Sequence, residues 1–319
     1  MNYNLLINNL TNPTLLFFVL GIVATTLKSD LEIPESISKF ISLYLLFSIG
    51  FKGGQELTHS GLSKEVIITL LLCIFLAAFV PLYTFFILKK KLSIENSGAI
   101  AATYGSVSAV TFVTATLFLE NLKVPYGGHM VAAMALMEAP AIIIGVVLMR
   151  SYDNSKSKMN LKNLLHESLT NSSVIMITGS LIIGIISNAK GAEGIKPFTT
   201  DIFKGFLAIF LLDMGMVAAK RFAAFRHYGW FVSLFSIIVP IVNGVFSIFI
   251  THFFAIAEGN RLLIAILASS ASYIAVPAAM RQAAPKADPG LYIPMALGLT
   301  FPFNITFGMP LFWILIKCV

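Results

Sequence analysis

Charge is what this chain has least of. Asp, Glu, Lys and Arg make up 12% of its 319 residues, about half the share of an ordinary soluble domain, which excludes a conventional water-facing surface. Cysteine is almost absent as well. Cys73 lies inside an apolar run and Cys318 near the end, a spacing that supports neither a disulfide framework nor a thiolate metal site. No HExxH, GxSxG or CxxC string occurs, and His129 and His252 have no carboxylate or second histidine at ligand spacing. Hydrolytic and metal chemistry therefore lack their residues, and no enzyme is expected.

Apolar length is abundant. Hydrophobic residues make up 57% of the chain, and windows of about 20 residues with few charges recur along it, which predicts an all-α polytopic membrane protein with no soluble domain left over. The formal charge of +7 is spread between apolar runs, as in membrane loops, so nucleic acid is not an expected partner. The first run, Pro13 to Leu27, has no basic stretch before it and no cleavage-like end; it reads as a retained span.

Marking runs between charge and Pro/Gly clusters gives ten helices: 13–28, 36–51, 65–88, 97–119 and 126–150, then 170–188, 202–219, 229–254, 261–282 and 290–316. The polar stretch 151–169 divides them into a first unit, 1–150, and a second, 170–319. Five helices is an odd number, so the second copy must insert upside down, giving a 5+5 inverted repeat. Pairs in matching order support it: Gly21 with Gly184, Gly50 with Gly215, Ser106 and Ser108 with Ser270 and Ser272, Pro125 with Pro289, all at offsets of roughly 163 to 165 residues. Fourteen of the 22 Lys and Arg fall on the side that carries 151–169. That side is expected to be cytoplasmic, with both termini outside.

Two short interruptions carry the chemistry, Gly105-Ser106-Val107-Ser108-Ala109 and Ser269-Ser270-Ala271-Ser272-Tyr273. Small residues at bilayer depth often serve close helix packing. Their recurrence at matched positions instead predicts two broken helices, because backbone freed from helical bonding is tolerated there only against protein or a wet cavity. Each restarted half-helix would aim free N–H groups and the positive end of its dipole at one pocket, an anion site that needs no arginine. Gly105, Ser106, Ser108, Ala109, Ser270, Ala271, Ser272 and Tyr273 are its candidate residues.

Glu138 lies well inside an apolar run, followed by Pro140, which frees a carbonyl. A carboxylate with free carbonyls and nearby hydroxyls suits sodium, and Glu138, Thr111, Ser269 and Asn304 are the candidates, Glu138 being the one acid. The alternative is a structural glutamate bonded between helices. Asp213 is expected either to couple to a proton or to pair with a lysine such as Lys52 across the repeat. Arg281 reads as an interfacial anchor.

The strings Ile49-Gly50-Phe51-Lys52-Gly53-Gly54, Tyr104-Gly105-Ser106-Val107-Ser108, Met137-Glu138-Ala139-Pro140, Leu212-Asp213-Met214-Gly215, Ala271 to Arg281 and Phe301-Pro302-Phe303-Asn304 occur in an order that resembles the sodium-dependent bicarbonate transporters of the SbtA type over essentially the whole chain. The resemblance implies a gate domain from helices 1, 2, 6 and 7, a core domain from helices 3–5 and 8–10, a homotrimer and elevator-like movement of the core. It also implies bicarbonate at the paired serines, sodium near Glu138 and no cofactor beyond the coupling ion. The stretch 151–169 is shorter than the linker of the cyanobacterial proteins, which removes support for a PII-like regulator.

The leading expectation is thus an inner-membrane secondary transporter importing a small monovalent anion, bicarbonate, with sodium. An organic anion or proton-coupled solute on the same fold is the alternative cargo, and a non-transporting membrane sensor is the alternative role.

Overall fold

The computed structural model describes residues 11–60, 63–152, 166, 170, 172–225 and 229–319. The stretch expected to link the two units, 151–169, lies outside the described residues apart from Ser151, Tyr152 and His166. Every regular element among the described residues is helical. They run α1 (Pro13–Thr26), α2 (Glu35–Ser60), α3 (Lys64–Leu88), α4 (Ile94–Gly105), α5 (Ala109–Asn121), α6 (His129–Tyr152), α7 (Ser172–Ile186) and α8 (Ala189–Lys196). After a π-helical turn at Pro197–Asp201 come α9 (Phe203–Phe225), α10 (Trp230–His252), α11 (Glu258–Ser269) and α12 (Ala275–Ala283). The final segment, α13 (Pro289–Cys318), opens into π-helical turns at Met295–Thr300 and Asn304–Gly308.

Among the described residues, six helical segments are long and apolar enough to cross a membrane, and Pro13–Thr26 and Ser172–Ile186 are shorter apolar helices. Their exposed faces carry Leu16, Phe17, Leu71, Phe75, Ile182, Ile183 and Phe249, the greasy exterior of helices meant for lipid rather than water.

Glycine sets which helices lie closest. Gly21 on α1 faces Gly215 on α9 so closely that an added Cβ on either would collide with the other helix's backbone. Gly54 on α2 meets Gly184 on α7 in the same way. Small residues permit this backbone approach, which substitutes in a membrane for the hydrophobic drive that lipid cannot supply. The α2–α7 contact is reinforced by Gln55, whose amide donates to the carbonyls of Gly184 and Ser187.

The structure departs from the sequence reading at a helix end, at an added short helix and at one side-chain pairing. Helix α2 continues through Lys52, Gly53, Gly54, Gln55 and Glu56 to Ser60, because the glycines there pack against α7 and Val131 instead of ending the helix. The short helix α8 has no buried residue and is capped by Asn188, whose side chain accepts from the Gly191 N–H at 2.8 Å. Asp213, expected either to couple to a proton or to pair with a lysine such as Lys52, does not meet Lys52. Asp213 takes the Ser38 hydroxyl at 2.5 Å, and Lys52 turns to Glu120 at 3.3 Å.

Candidate functional site

Both serine interruptions break their helices. The first helix stops at Gly105 and restarts at Ala109; the second stops at Ser269 and restarts at Ala275. Ser106 and Ser270 leave the helix in the same extended conformation, φ −85°, ψ −178° and φ −81°, ψ 171°. At each restart a serine satisfies one orphan donor: Ser108 Oγ accepts from the Thr111 N–H at 3.2 Å, and Ser272 Oγ accepts from the Val276 N–H at 3.3 Å.

The breaks are tied across one another. The Ser108 N–H donates to Ser270 Oγ at 3.0 Å, and the Ser272 N–H donates to the Thr103 carbonyl at 2.9 Å. These contacts answer the demand that backbone freed inside a membrane find partners within the protein. They are not equivalent. The Ser270 hydroxyl accepts from Ser108 and donates to the Leu267 carbonyl at 2.8 Å, whereas the hydroxyls of Ser106, Thr103 and Thr111 are buried with no hydrogen-bond partner among the described residues.

A small cavity of about 20 Å³ lies between the restarted half-helices, bordered by Ser108, Ala109 and Val110 on one side and Ser272, Tyr273 and Ala275 on the other. Glu138 of α6 reaches the same cavity. It is buried, and its Oε2 has no hydrogen-bond partner among the described residues. Ser42 of α2 and Ser173 of α7 also border it; a single serine in an apolar helix and a serine in a polar helix start gave no signal that would have singled them out. The Tyr273 ring meets Phe301 edge-on with centroids 6.0 Å apart. Its hydroxyl lies beside Ser108 without a hydrogen bond of ordinary geometry.

The sequence candidates divide in space. Ser108, Ala109, Ser272 and Tyr273 border the cavity, and Ser270 holds the crossing from behind. Gly105, Ser106 and Ala271 sit in the backbone that approaches it, Gly105 lying where an added Cβ would strike Pro81. Of the four cation candidates, Glu138 borders the cavity. Ser269 and Asn304 engage each other, the Asn304 amide donating to the Ser269 carbonyl at 2.9 Å, and the Thr111 hydroxyl is buried beyond the cap.

A family model described as the Na+-dependent bicarbonate transporter superfamily matches residues 13–317. The chain belongs to that superfamily. Membership implies a transporter of bicarbonate that depends on sodium and implies no enzyme; the apolar helices fit a multi-pass membrane protein. No curated protein matches the chain.

A second, larger cavity of about 330 Å³ opens between α2, α5 and α9. Lys52, Glu56, Glu120, Asp201 and Lys204 stand around it with Tyr126. Burial and the carboxylates of Glu56 and Glu120 push the Tyr126 phenol up. Sequence reasoning missed this cavity because its charges come from helices 68 to 152 residues apart in the chain, by the numbers of Lys52, Glu120 and Lys204.

Proposed function

We propose that this protein imports bicarbonate with sodium across the inner membrane, holding the anion between the restarted ends of α5 and α12. What carries the reading is the joining of the two breaks by the Ser108–Ser270 bond at a cavity that Glu138 also borders. Each half-helix start contributes roughly half a positive charge from its dipole. Two of them nearly balance a monovalent anion without a cationic side chain. The N–H groups of Ala109, Val110 and Ala275 belong to first turns that lack intrahelical acceptors, and all three residues border the cavity. A space of about 20 Å³ is on the scale of a single water molecule, so in this reading the half-helix ends part to admit the anion.

Sodium enters this account through oxygen. Glu138 supplies a carboxylate, and Thr111, Ser269 and Asn304 supply hydroxyl, carbonyl and amide oxygens on neighbouring elements, a donor set suited to a hard monovalent cation. Cation and anion then stabilise each other, and linkage requires the effect to be reciprocal.

The two units 1–150 and 170–319 form the inverted repeat in this reading. Supporting it, helix 1 of the first unit packs on helix 2 of the second through Gly21 and Gly215, while helix 2 of the first packs on helix 1 of the second through Gly54 and Gly184. These four, α1, α2, α7 and α9, form the gate. The others form a core that carries the loaded site in an elevator-like movement within a homotrimer, with both termini outside.

Titrating bicarbonate into purified protein with and without sodium, choline replacing it, tests the coupling. Sodium should tighten bicarbonate and bicarbonate should tighten sodium by the same factor. Independent binding of the two ions would overturn the coupled site.

A further inference from the structure

We infer that Glu120 is the positioning residue that ties α5 to α2 and α9, and that release of its two ion pairs is a step in each transport cycle. The inference rests on the gate-and-core reading above. Its basis is the course of one helix. Helix α5 starts at the serine crossing and ends at Asn121, a rise of about 20 Å at 1.5 Å per residue. The half-helix that presents its N-terminus to the small cavity therefore carries Glu120 in its last turn, so the crossing cannot travel far unless Glu120 travels too.

That carboxylate is held from two helices at once. Lys52 Nζ of α2 approaches Oε1 at 3.3 Å, and Lys204 Nζ of α9 approaches Oε2 at 3.8 Å. An acid near a helix C-terminus meets the negative end of the dipole, so Glu120 is poorly placed for the stability of its own helix. The two lysines compensate for that position. Both belong to helices fixed elsewhere by glycine contact, α2 to α7 and α9 to α1.

The space below these pairs is only partly filled. A cavity of about 330 Å³ is lined by Phe112, Thr116 and Leu117 of α5, Ile49 of α2 and Phe203 of α9, while Ile49, Phe112 and Leu117 also belong to the buried core. Close-packed interfaces resist sliding, as the glycine contacts must. A seam with a void inside and partly exposed charges at its mouth lets go at small cost, because such pairs are individually weak and are screened by salt. Glu120 thus acts as a catch between the helix that carries the crossing and the helices that stay.

The test uses the full chain in nanodiscs, in a background of Cys73→Ala and Cys318→Ser, with Thr116→Cys as a reporter inside the seam. The rate of modification by the uncharged reagent methyl methanethiosulfonate is read at fixed sodium while choline chloride sets ionic strength. Glu120→Gln should raise the rate about two- to ten-fold, the range expected from losing two weak pairs, and should remove its dependence on ionic strength. Exchanging all three charges, Glu120→Lys with Lys52→Glu and Lys204→Glu, should bring the rate back toward the parent. Should Glu120→Gln fail to fold, Glu120→Asp, which keeps the charge and shortens the reach, should give an intermediate rate. A rate and salt dependence indifferent to Glu120 would overturn the inference. The reporter needs no cargo: if parent vesicles take up no bicarbonate while labelling still follows Glu120, the cargo assignment fails and the catch stands; normal uptake with indifferent labelling removes the catch alone.

Discussion

The backbone N–H of Ser108 donates to the hydroxyl of Ser270 at 3.0 Å across 162 residues of chain. This bond joins the two helix interruptions directly and depends on a side chain, unlike the Ser272 N–H bond to the Thr103 carbonyl. The Ser106 hydroxyl, at the matching position, has no hydrogen-bond partner among the described residues. Ser270→Ala should leave the Ser108 N–H without an acceptor and lower stability by about 1–3 kcal/mol, whereas Ser106→Ala should cost under about 0.5 kcal/mol. Thermal unfolding of the two variants in one detergent checks the inequality.

Removing the caps separates binding from folding. Ser108→Ala and Ser272→Ala each leave one N–H unsatisfied, at about 1 kcal/mol of helix stability. Each also withdraws a hydroxyl from the cavity border. Bicarbonate affinity should fall at least about ten-fold, equivalent to 1.4 kcal/mol, in variants whose unfolding temperature moves by only a few degrees. Titration and thermal unfolding of the same samples give both numbers.

Glu138→Gln keeps the shape of the side chain and removes its charge. Because Oε2 has no hydrogen-bond partner among the described residues, the substitution should be tolerated structurally. The sodium concentration giving half-maximal uptake should rise by at least about ten-fold. Uptake measured as a function of sodium, at saturating bicarbonate, reads that shift.

Close helix approach gives a prediction with its own control. Gly21→Ala would drive a methyl group into the Leu212 carbonyl and the Gly215 backbone, an overpacking that costs about 1–3 kcal/mol. Gly205→Ala, with nothing within 4 Å of the added carbon, should instead stabilise α9 by about 0.5–1 kcal/mol. Opposite shifts in unfolding temperature are expected.

Much of the architecture was legible from local pattern. The breaks at 106–108 and 270–274 follow from small and hydroxyl residues inside apolar runs, whereas Gly21 and Gly215, which pack α1 on α9, stood out only as members of two different matched pairs. Partners remote in sequence were not. Lys52 sits as close in pattern to Asp213 as to Glu120, and only the folded geometry gives Asp213 to Ser38. The extension of α2 past Gly53 and Gly54 was hidden because glycine ordinarily ends helices. In a helix that packs on another backbone, the same residue prolongs the contact. The π-helical turns of α13 leave no mark in hydropathy, since Met295–Thr300 is as apolar as its surroundings.

The central claim is that this chain moves bicarbonate by spending a sodium gradient, and it is tested most directly by uptake of labelled bicarbonate into proteoliposomes. An inward sodium gradient should drive accumulation above the level reached with equal sodium on both sides, and Ser108→Ala with Ser272→Ala should abolish it. Binding of bicarbonate without any sodium-driven accumulation, in vesicles shown to hold folded protein, would contradict the claim and leave a sensor.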